Sequence, residues 1–340
     1  MTFSTQLKIS VLIPVHNGGD SFVRCLSSLA QAVPAAHEII VVADGDSDGS
    51  WKIAEEFGAK VLRIPTSGGP AKARNLGASV AQGDILFFVD ADVAICTDAI
   101  SQVAAAFSDQ PELAALIGSY DDAPGASNFL SQYKNLFHHY THQTASEEAS
   151  TFWGACGAIR REIFLELGGF DESYRRPCVE DIELGYRLKK AGYRIRLCKE
   201  LQVKHLKNWQ PISLLRAEIF YRALPWTELI LRDRQFVNDL NLKLSSRLSV
   251  LLTFGLLGTL VAAFWSSGFL VLAGVLSLLL LVINASVYRF FLQKRGVWFT
   301  VRVIPWHWLY FFYSGLTFIV GTIRYNYRKL FSPKTDLSAA

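Results

Sequence analysis

The stretch Ile-Leu-Phe-Phe-Val-Asp-Ala-Asp-Val, residues 85–93, runs five apolar residues straight into two carboxylates, Asp90 and Asp92, separated by one small residue. An unbroken apolar run suits a strand buried on both faces of a parallel sheet, and the ligands of open α/β sheets gather where such strands end. Two carboxylates this close repel each other in a low dielectric unless a cation, a donor-rich ligand or solvent compensates them. The pair therefore points to a divalent ion accompanied by a phosphate-bearing ligand. A solvated turn after a strand is the bland reading of the same residues.

Upstream, short β-rich runs alternate with helical stretches, the pattern of a parallel sheet with crossover helices. The spacing predicts strands over Lys8 to Val15, Glu38 to Ala43, Lys60 to Ile64 and Ile85 to Val89. Helices are expected near Ser21 to Ala32, Ser50 to Phe57 and Ala71 to Ala81. Every predicted strand ends in polar or glycine-rich sequence: His16 to Gly19, Asp44 to Gly49, Thr66 to Gly69, and Asp90 with Asp92. Four such loops would converge on one crevice.

Downstream, Ser119 to Ser150 loses periodicity and gathers Tyr133, Phe137, His138, His139, Tyr140 and His142. Two readings stand for it: a lid or acceptor loop, or a surface helix over Asn128 to His142. Adjacent histidines on a helix point in different directions, which argues against a metal cluster there. Phe152 to Ile159 reads as a small-residue strand and Arg161 to Leu167 as a short helix. Glu180 and Asp181 then open an amphipathic helix that carries Arg187, Lys189 and Lys190 in its last turns and stops at Gly192. Taken alone, acids at a helix start do no more than complement the dipole.

Several pieces in this order resemble the family 2 glycosyltransferases, whose domain has the GT-A type nucleotide-sugar-binding fold. They are Ser-Val-Leu-Ile-Pro-Val-His-Asn at 10–17, Ala-Asp-Gly-Asp-Ser-Asp-Gly-Ser at 43–50, Ala-Arg-Asn-Leu-Gly-Ala at 73–78, Asp-Ala-Asp at 90–92, Gly-Gly-Phe-Asp-Glu at 168–172 and Glu-Asp-Ile-Glu-Leu-Gly-Tyr-Arg-Leu at 180–188. The resemblance covers roughly residues 8–205 and implies an α/β domain with a mostly parallel sheet. It implies that Pro14, Val15 and Asn17 line a nucleotide pocket and that Asp44 accepts a hydrogen bond from the base. Ala43 stands where the family usually has a first Asp. Arg74 supports the fold or lies near the diphosphate. Asp90 faces the ribose and the metal shell, Asp92 binds Mg2+ or Mn2+, and His205 is a further metal or diphosphate ligand. Asp181 is the general base of an inverting displacement, with Glu180 positioning the acceptor or Asp181 itself. A glycosidase also uses two acids, but that reading leaves the glycine-rich loops unexplained. A binding protein that has lost activity is a further alternative.

The composition changes near residue 245. Leu248 to Trp265 and Phe269 to Val287 carry no charged side chain, and each approaches the roughly 20 residues of a membrane span. A third stretch, Val303 to Ile323, contains Pro305 and His307 and reads as a re-entrant or interfacial segment, with a full span as the alternative. Between the sheet domain and these stretches, residues 207–245 mix Trp209, Tyr221 and Trp226 with Arg216, Arg222 and Arg232, as interfacial helices do, and Pro225 is expected to break them. The expected organisation is a sheet domain over 1–206, interfacial helices over 207–245, a membrane region over 246–326 and a basic tail over 327–340.

Lys243, Arg247, Arg289, Lys294 and Arg295 flank the first two spans on one side. The cytoplasm is the expected side, with the sheet domain cytoplasmic, no secretory signal, and the whole a multi-pass protein of the inner cell membrane. The five cysteines include no Cys-x-x-Cys pair, so free thiols are expected. The net charge of +4 arises from cations around the apolar segments, which favours phospholipid over nucleic acid. The expected partners are a nucleotide-sugar donor, with a lean to uridine, and a lipid or lipid-linked acceptor. Processive relatives carry Gln-x-x-Arg-Trp after the Glu-Asp motif. Its absence here favours transfer of single sugars, and a polyprenyl-phosphate sugar synthase is the alternative.

Overall fold

The computed structural model describes residues 7–234 and 243–331; the ends of the expected 1–206 domain, of the 207–245 segment and of the basic tail lie partly outside them. The chain divides into two compact units, residues 1–211 and 212–340.

In the first unit, strands β1 (Ile9–Val15), β2 (Glu38–Asp44), β3 (Lys60–Ile64) and β4 (Ile85–Val89) form a parallel array in the order β3-β2-β1-β4. All five residues of β4 are buried, as its apolar run requires. Helices α1 (Gly19–Ala30), α2 (Ser50–Glu56) and α3 (Pro70–Val80) make the crossovers. Beyond β4 the sheet is mixed. It continues through β7 (Cys156–Arg160), β6 (Leu113–Tyr120), β8 (Arg194–His205) and the short β5 (Val93–Ile95), with only β6 and β8 parallel to each other. The antiparallel entry of β7 beside β4 carries residues 152–155 to the mouth of the parallel array. Helices α4 (Ala99–Asp109), α6 (Arg161–Glu166) and α7 (Glu180–Lys190) complete the layers.

The segment with two readings is a helix, α5 (Phe129–Gln143), and it does not lie on the surface: Leu130, Tyr133, Asn135, Leu136, His139 and His142 are among its buried residues. His139 and His142 contact the carbonyls of Tyr120 and Gly118 at 2.7 and 3.0 Å, so their ring nitrogens serve the packing of the helix on β6.

A block of phenylalanines underlies the centre of the sheet, with Phe88 centred 5.3 Å from Phe164 and 5.2 Å from Phe170. Two of the sequence motifs interlock above it. Asn75 donates to the Phe170 carbonyl at 2.8 Å and accepts from the Phe170 amide at 2.8 Å. Gly69 has φ +93°, and a Cβ there would come within 2.5 Å of the Arg175 backbone, so the loop before α7 closes onto the start of α3 only over a glycine.

The second unit begins with α8 (Pro211–Arg216), a π-helical segment (Ala217–Ala223) and α9 (Leu224–Asp233). Pro225 does not break this run. It sits in the first turn of α9, directly after the π-helical widening, where a proline lacking its N–H is tolerated. Helices α10 (Leu244–Ala262), α11 (Phe269–Ile283) and α12 (Ala285–Phe331) follow. Gly296, at φ +80° and ψ −178°, divides α12 into two helices. The parts fold back on each other, with Phe299 centred 5.9 Å from Phe291 and Trp308 Nε1 donating to the Tyr288 hydroxyl at 3.1 Å. The reversal thus precedes Val303, and residues 303–323 lie in an uninterrupted helix. By length and composition, α10 and α12 are apolar enough to cross a membrane, and α11 is a shorter apolar helix.

Candidate functional site

Asp90 and Asp92 lie where β4 ends, and their environments differ. Asp90 accepts from Arg74 at 2.7 Å. Asp92 is bordered by His205 Nε2 and Lys207 Nζ, both at 3.7 Å. Burial alone would raise the Asp92 pKa; the interactions with His205 and Lys207 outweigh it and lower the value to about 2. His205 is itself fixed, with Nδ1 2.7 Å from Asn135 Oδ1 and its ring stacked on Tyr120.

Arg74 joins this corner to the start of α7. Its second arm donates to Glu180 at 2.8 Å, and the side chain is only 5% exposed, packed over the Phe170 ring. Burial opposes the charge, and Asp90 and Glu180 more than restore it, so the guanidinium holds its proton more firmly than usual. Of the two readings for Arg74, the geometry matches the supporting one: both arms are occupied by carboxylates. A Cβ at Gly154 would stand 3.0 Å from the guanidinium carbon, so a larger residue there would crowd it.

Glu180 accepts from Arg74 with one oxygen and from the Cys178 amide at 2.8 Å with the other. It is buried, with both oxygens engaged, and it anchors Arg74 and the helix start that carries Asp181. Asp181 is different. One oxygen accepts from the Gly154 amide at 3.0 Å and the other from Ile182 at 2.8 Å, while the residue stays partly exposed. Burial and the neighbouring Glu180 raise its pKa to about 6, against the opposing pull of the Gly154 amide and Arg74. A carboxylate poised there is suited to accept a proton near neutral pH.

The expected donor-binding residues separate in the same way. Asp44 accepts from Ser67 Oγ and from the amides of Gly68 and Gly69 at 2.7 to 2.8 Å, and it is 4% exposed. Its carboxylate fastens the loop after β3. Asn17, at φ +52°, accepts from the amides of Ser47 and Asp48 at 2.8 and 3.2 Å and joins the first loop to the second. The Val15 side chain is buried in the core, whereas Pro14 is partly exposed and Asn17 exposed at the strand end.

Among the described residues, no three His, Cys, Asp or Glu groups converge to cage a metal. The protein offers instead two partly exposed carboxylates, Asp90 and Asp92, with His205 beside them. Such an oxygen-rich, sparse set fits Mg2+ or Mn2+, which are held by one or two carboxylates with water and phosphate oxygens completing the shell.

Gly154, Lys207, Asn135 and Trp153 belong to this site and were not singled out from the sequence. The only signal for Gly154 was its place in a run of small residues; Lys207 lay two positions from His205.

Residues 10–168 match the family described as Glycosyl transferase family 2, and residues 134–209 match one described as N-terminal domain of galactosyltransferase. O-antigen chain rhamnosyltransferase RfbN of Salmonella typhimurium is 25% identical over 242 residues, which cover 65% of this chain and 75% of that one. Probable glycosyltransferase YdaM of Bacillus subtilis is 29% identical over 206 residues, 56% of this chain and 48% of its own length. In fold, the mannosyltransferase PcManGT from Pyrobaculum calidifontis, solved with GDP-Man and Mn2+, aligns with TM-score 0.56 at 14% identity over 96% of this chain and 89% of that chain. GalNAc-T7, solved with UDP, GalNAc and Mn2+, aligns with TM-score 0.51 at 20% identity over 72% and 51%. The motifs are assembled around one crevice of a GT-A-like sheet, and the part of the chain that carries them, residues 10–168, matches glycosyl transferase family 2.

Proposed function

We propose that the protein transfers one sugar at a time, with inversion, from a nucleotide sugar (a uridine diphosphate sugar by preference) to a membrane-associated acceptor such as a glycolipid or polyprenyl-linked saccharide. The observation that carries this reading is the buried Arg74, which ties the Asp90 corner to Glu180 and so holds Asp181 in the same site as the Asp-x-Asp pair. PcManGT and GalNAc-T7 were each solved with a nucleotide and Mn2+, which supports a diphosphate and a metal at the Asp92 corner.

As the bond to the diphosphate breaks, negative charge grows on the leaving group and positive charge on the anomeric carbon. A divalent ion, when bound by Asp92, Asp90 and His205, supplies charge neutralisation of that leaving group. Lys207, beside Asp92 and nearly half exposed, offers a further positive charge to the phosphate oxygens. On the opposite face of the sugar, Asp181 takes the proton of the acceptor hydroxyl as its oxygen attacks. The Gly154 amide orients the carboxylate for that transfer.

The apolar helices of the second unit support a membrane acceptor. Phe264, Trp265, Val271 and Trp298 are 73–89% exposed, surface that lipid would cover. Cations at Lys243 and Arg247 and again at Lys294 and Arg295 support a cytoplasmic placement of those ends, in an inner cell membrane, with the sheet domain cytoplasmic.

The test is conversion of a panel of nucleotide sugars by the full chain in membranes, with extracted lipids as acceptors, in Mg2+, Mn2+ or chelator. Metal-dependent formation of a glycosylated lipid from one donor is expected. Tight donor binding without any turnover would favour a binding protein and overturn the reading.

A further inference from the structure

We propose that Trp153 is an acceptor-recognising residue: its indole is a stacking platform for a pyranose ring, and the group presented to Asp181 is the hydroxyl of a lipid-linked saccharide, not a lipid phosphate. The inference rests on the sugar-transfer reading above and narrows it to one acceptor chemistry.

Trp153 immediately precedes Gly154, whose amide holds Asp181, so the indole and the base are fixed by the same short piece of backbone. The indole is partly exposed although its surroundings are tightly packed. Tyr120 meets it edge-on at 4.8 Å between centroids, His138 lies at 4.7 Å and His142 at 5.3 Å. Tyr120 also stacks on His205 at 4.5 Å, and His205 borders Asp92. A single aromatic block thus runs from the diphosphate corner to the residue beside the base, and Trp153 is its partly exposed end.

The chemistry of that end selects among acceptors. Burial lowers the His142 pKa to about 4, which keeps that imidazole neutral at physiological pH. Arg74, the cation bonded to Glu180 beside the base, has both arms on carboxylates. An indole face next to a carboxylate offers a phosphate no counter-charge of its own, whereas the apolar C–H face of a sugar packs on such a ring and leaves its hydroxyls to polar partners. A neutral hydroxyl also needs the base that Asp181 provides; a phosphate acceptor, already anionic, does not.

The full chain in lipid nanodiscs, saturated with UDP and Mg2+, is titrated with methyl glucoside, galactoside, rhamnoside and N-acetylglucosaminide, and separately with methyl phosphate. Binding is read by saturation-transfer NMR, and UDP affinity by calorimetry. At least one glycoside is expected to bind through its ring protons, with affinity about tenfold weaker in Trp153→Ala, an intermediate loss in Trp153→Phe, and UDP affinity equal in all three proteins. With UDP bound normally, absence of glycoside binding, glycoside affinity unchanged in Trp153→Ala, or methyl phosphate as the better ligand overturns the platform alone. A parallel loss of UDP affinity in Trp153→Ala makes the indole merely structural and also overturns it. Failure of the parent protein to bind UDP overturns the donor reading, and the platform with it.

Discussion

The corner at Asp92 and the corner at Asp181 use the same functional group in one site and tune it in opposite directions. Asp92 faces two nitrogen partners, His205 and Lys207, and is lowered to about 2. Asp181 faces backbone amides and a second acid, Glu180, and is raised to about 6. Burial pushes both upward, so the sign of each shift is decided by the neighbouring charges. The first carboxylate stays ionised and suits a cation; the second sits near its titration point and suits proton transfer. Arg74 lies between them and keeps Asp90 and Glu180 from adding a further unpaired charge to either end.

The sharpest way to break this contrast is Asp181→Asn, which preserves shape but removes the base. Transfer is expected to fall by about 10²–10⁴-fold with donor affinity retained, read from initial rates and calorimetry. In the parent protein the rate should decline as pH falls through about 6, because the base is active only when deprotonated and its raised pKa moves that loss up from the ordinary carboxylate range. An acid limb that persists unchanged in the residual activity of the Asp181→Asn protein would assign the titration to another group.

Next in size, Arg74→Met leaves the Glu180 carboxylate buried without its counter-charge and is expected to cost about 3–5 kcal/mol of domain stability, measured by denaturant unfolding. A loss of activity without loss of stability would instead place Arg74 on the ligand. The smallest of the three concerns the opposite corner. Asp92→Ala should weaken donor binding by about 10–100-fold in Mn2+ and erase the difference between Mn2+ and chelator, as seen by calorimetry. Equal affinity with the parent would remove the metal from that corner and dissolve the comparison.

Much of the frame was legible along the chain. Residues 60–64 and 85–89 are strands with the anticipated limits; the second is an unbroken apolar run ending in a carboxylate, which leaves few alternatives. The helix starting at Glu180 was equally plain from its periodicity and terminal charges. Misreadings fell where tertiary partners override local pattern. Nothing in the local pattern at Asp44 announced that the loop after β3 supplies three donors to its carboxylate. Residues 128–142 looked superficial because histidines interrupt the apolar pattern, yet those rings contact carbonyls of β6 and are buried with it. Pro225 looked like a helix break, and a π-helical segment absorbs it.

From the order of its motifs and the composition shift near residue 245, the sequence by itself determined the fold class, the identity of the acids, and the presence of apolar helices after the sheet domain. Only the tertiary structure decided which neighbours each acid has. Arg74 and Glu180 are 106 positions apart, Asp92 and His205 come from distant parts of the chain, and the amide that holds Asp181 comes from residue 154. A carboxylate's chemistry is set by the charges and donors within a few ångströms of it, and those neighbours are fixed by folding, not by sequence proximity.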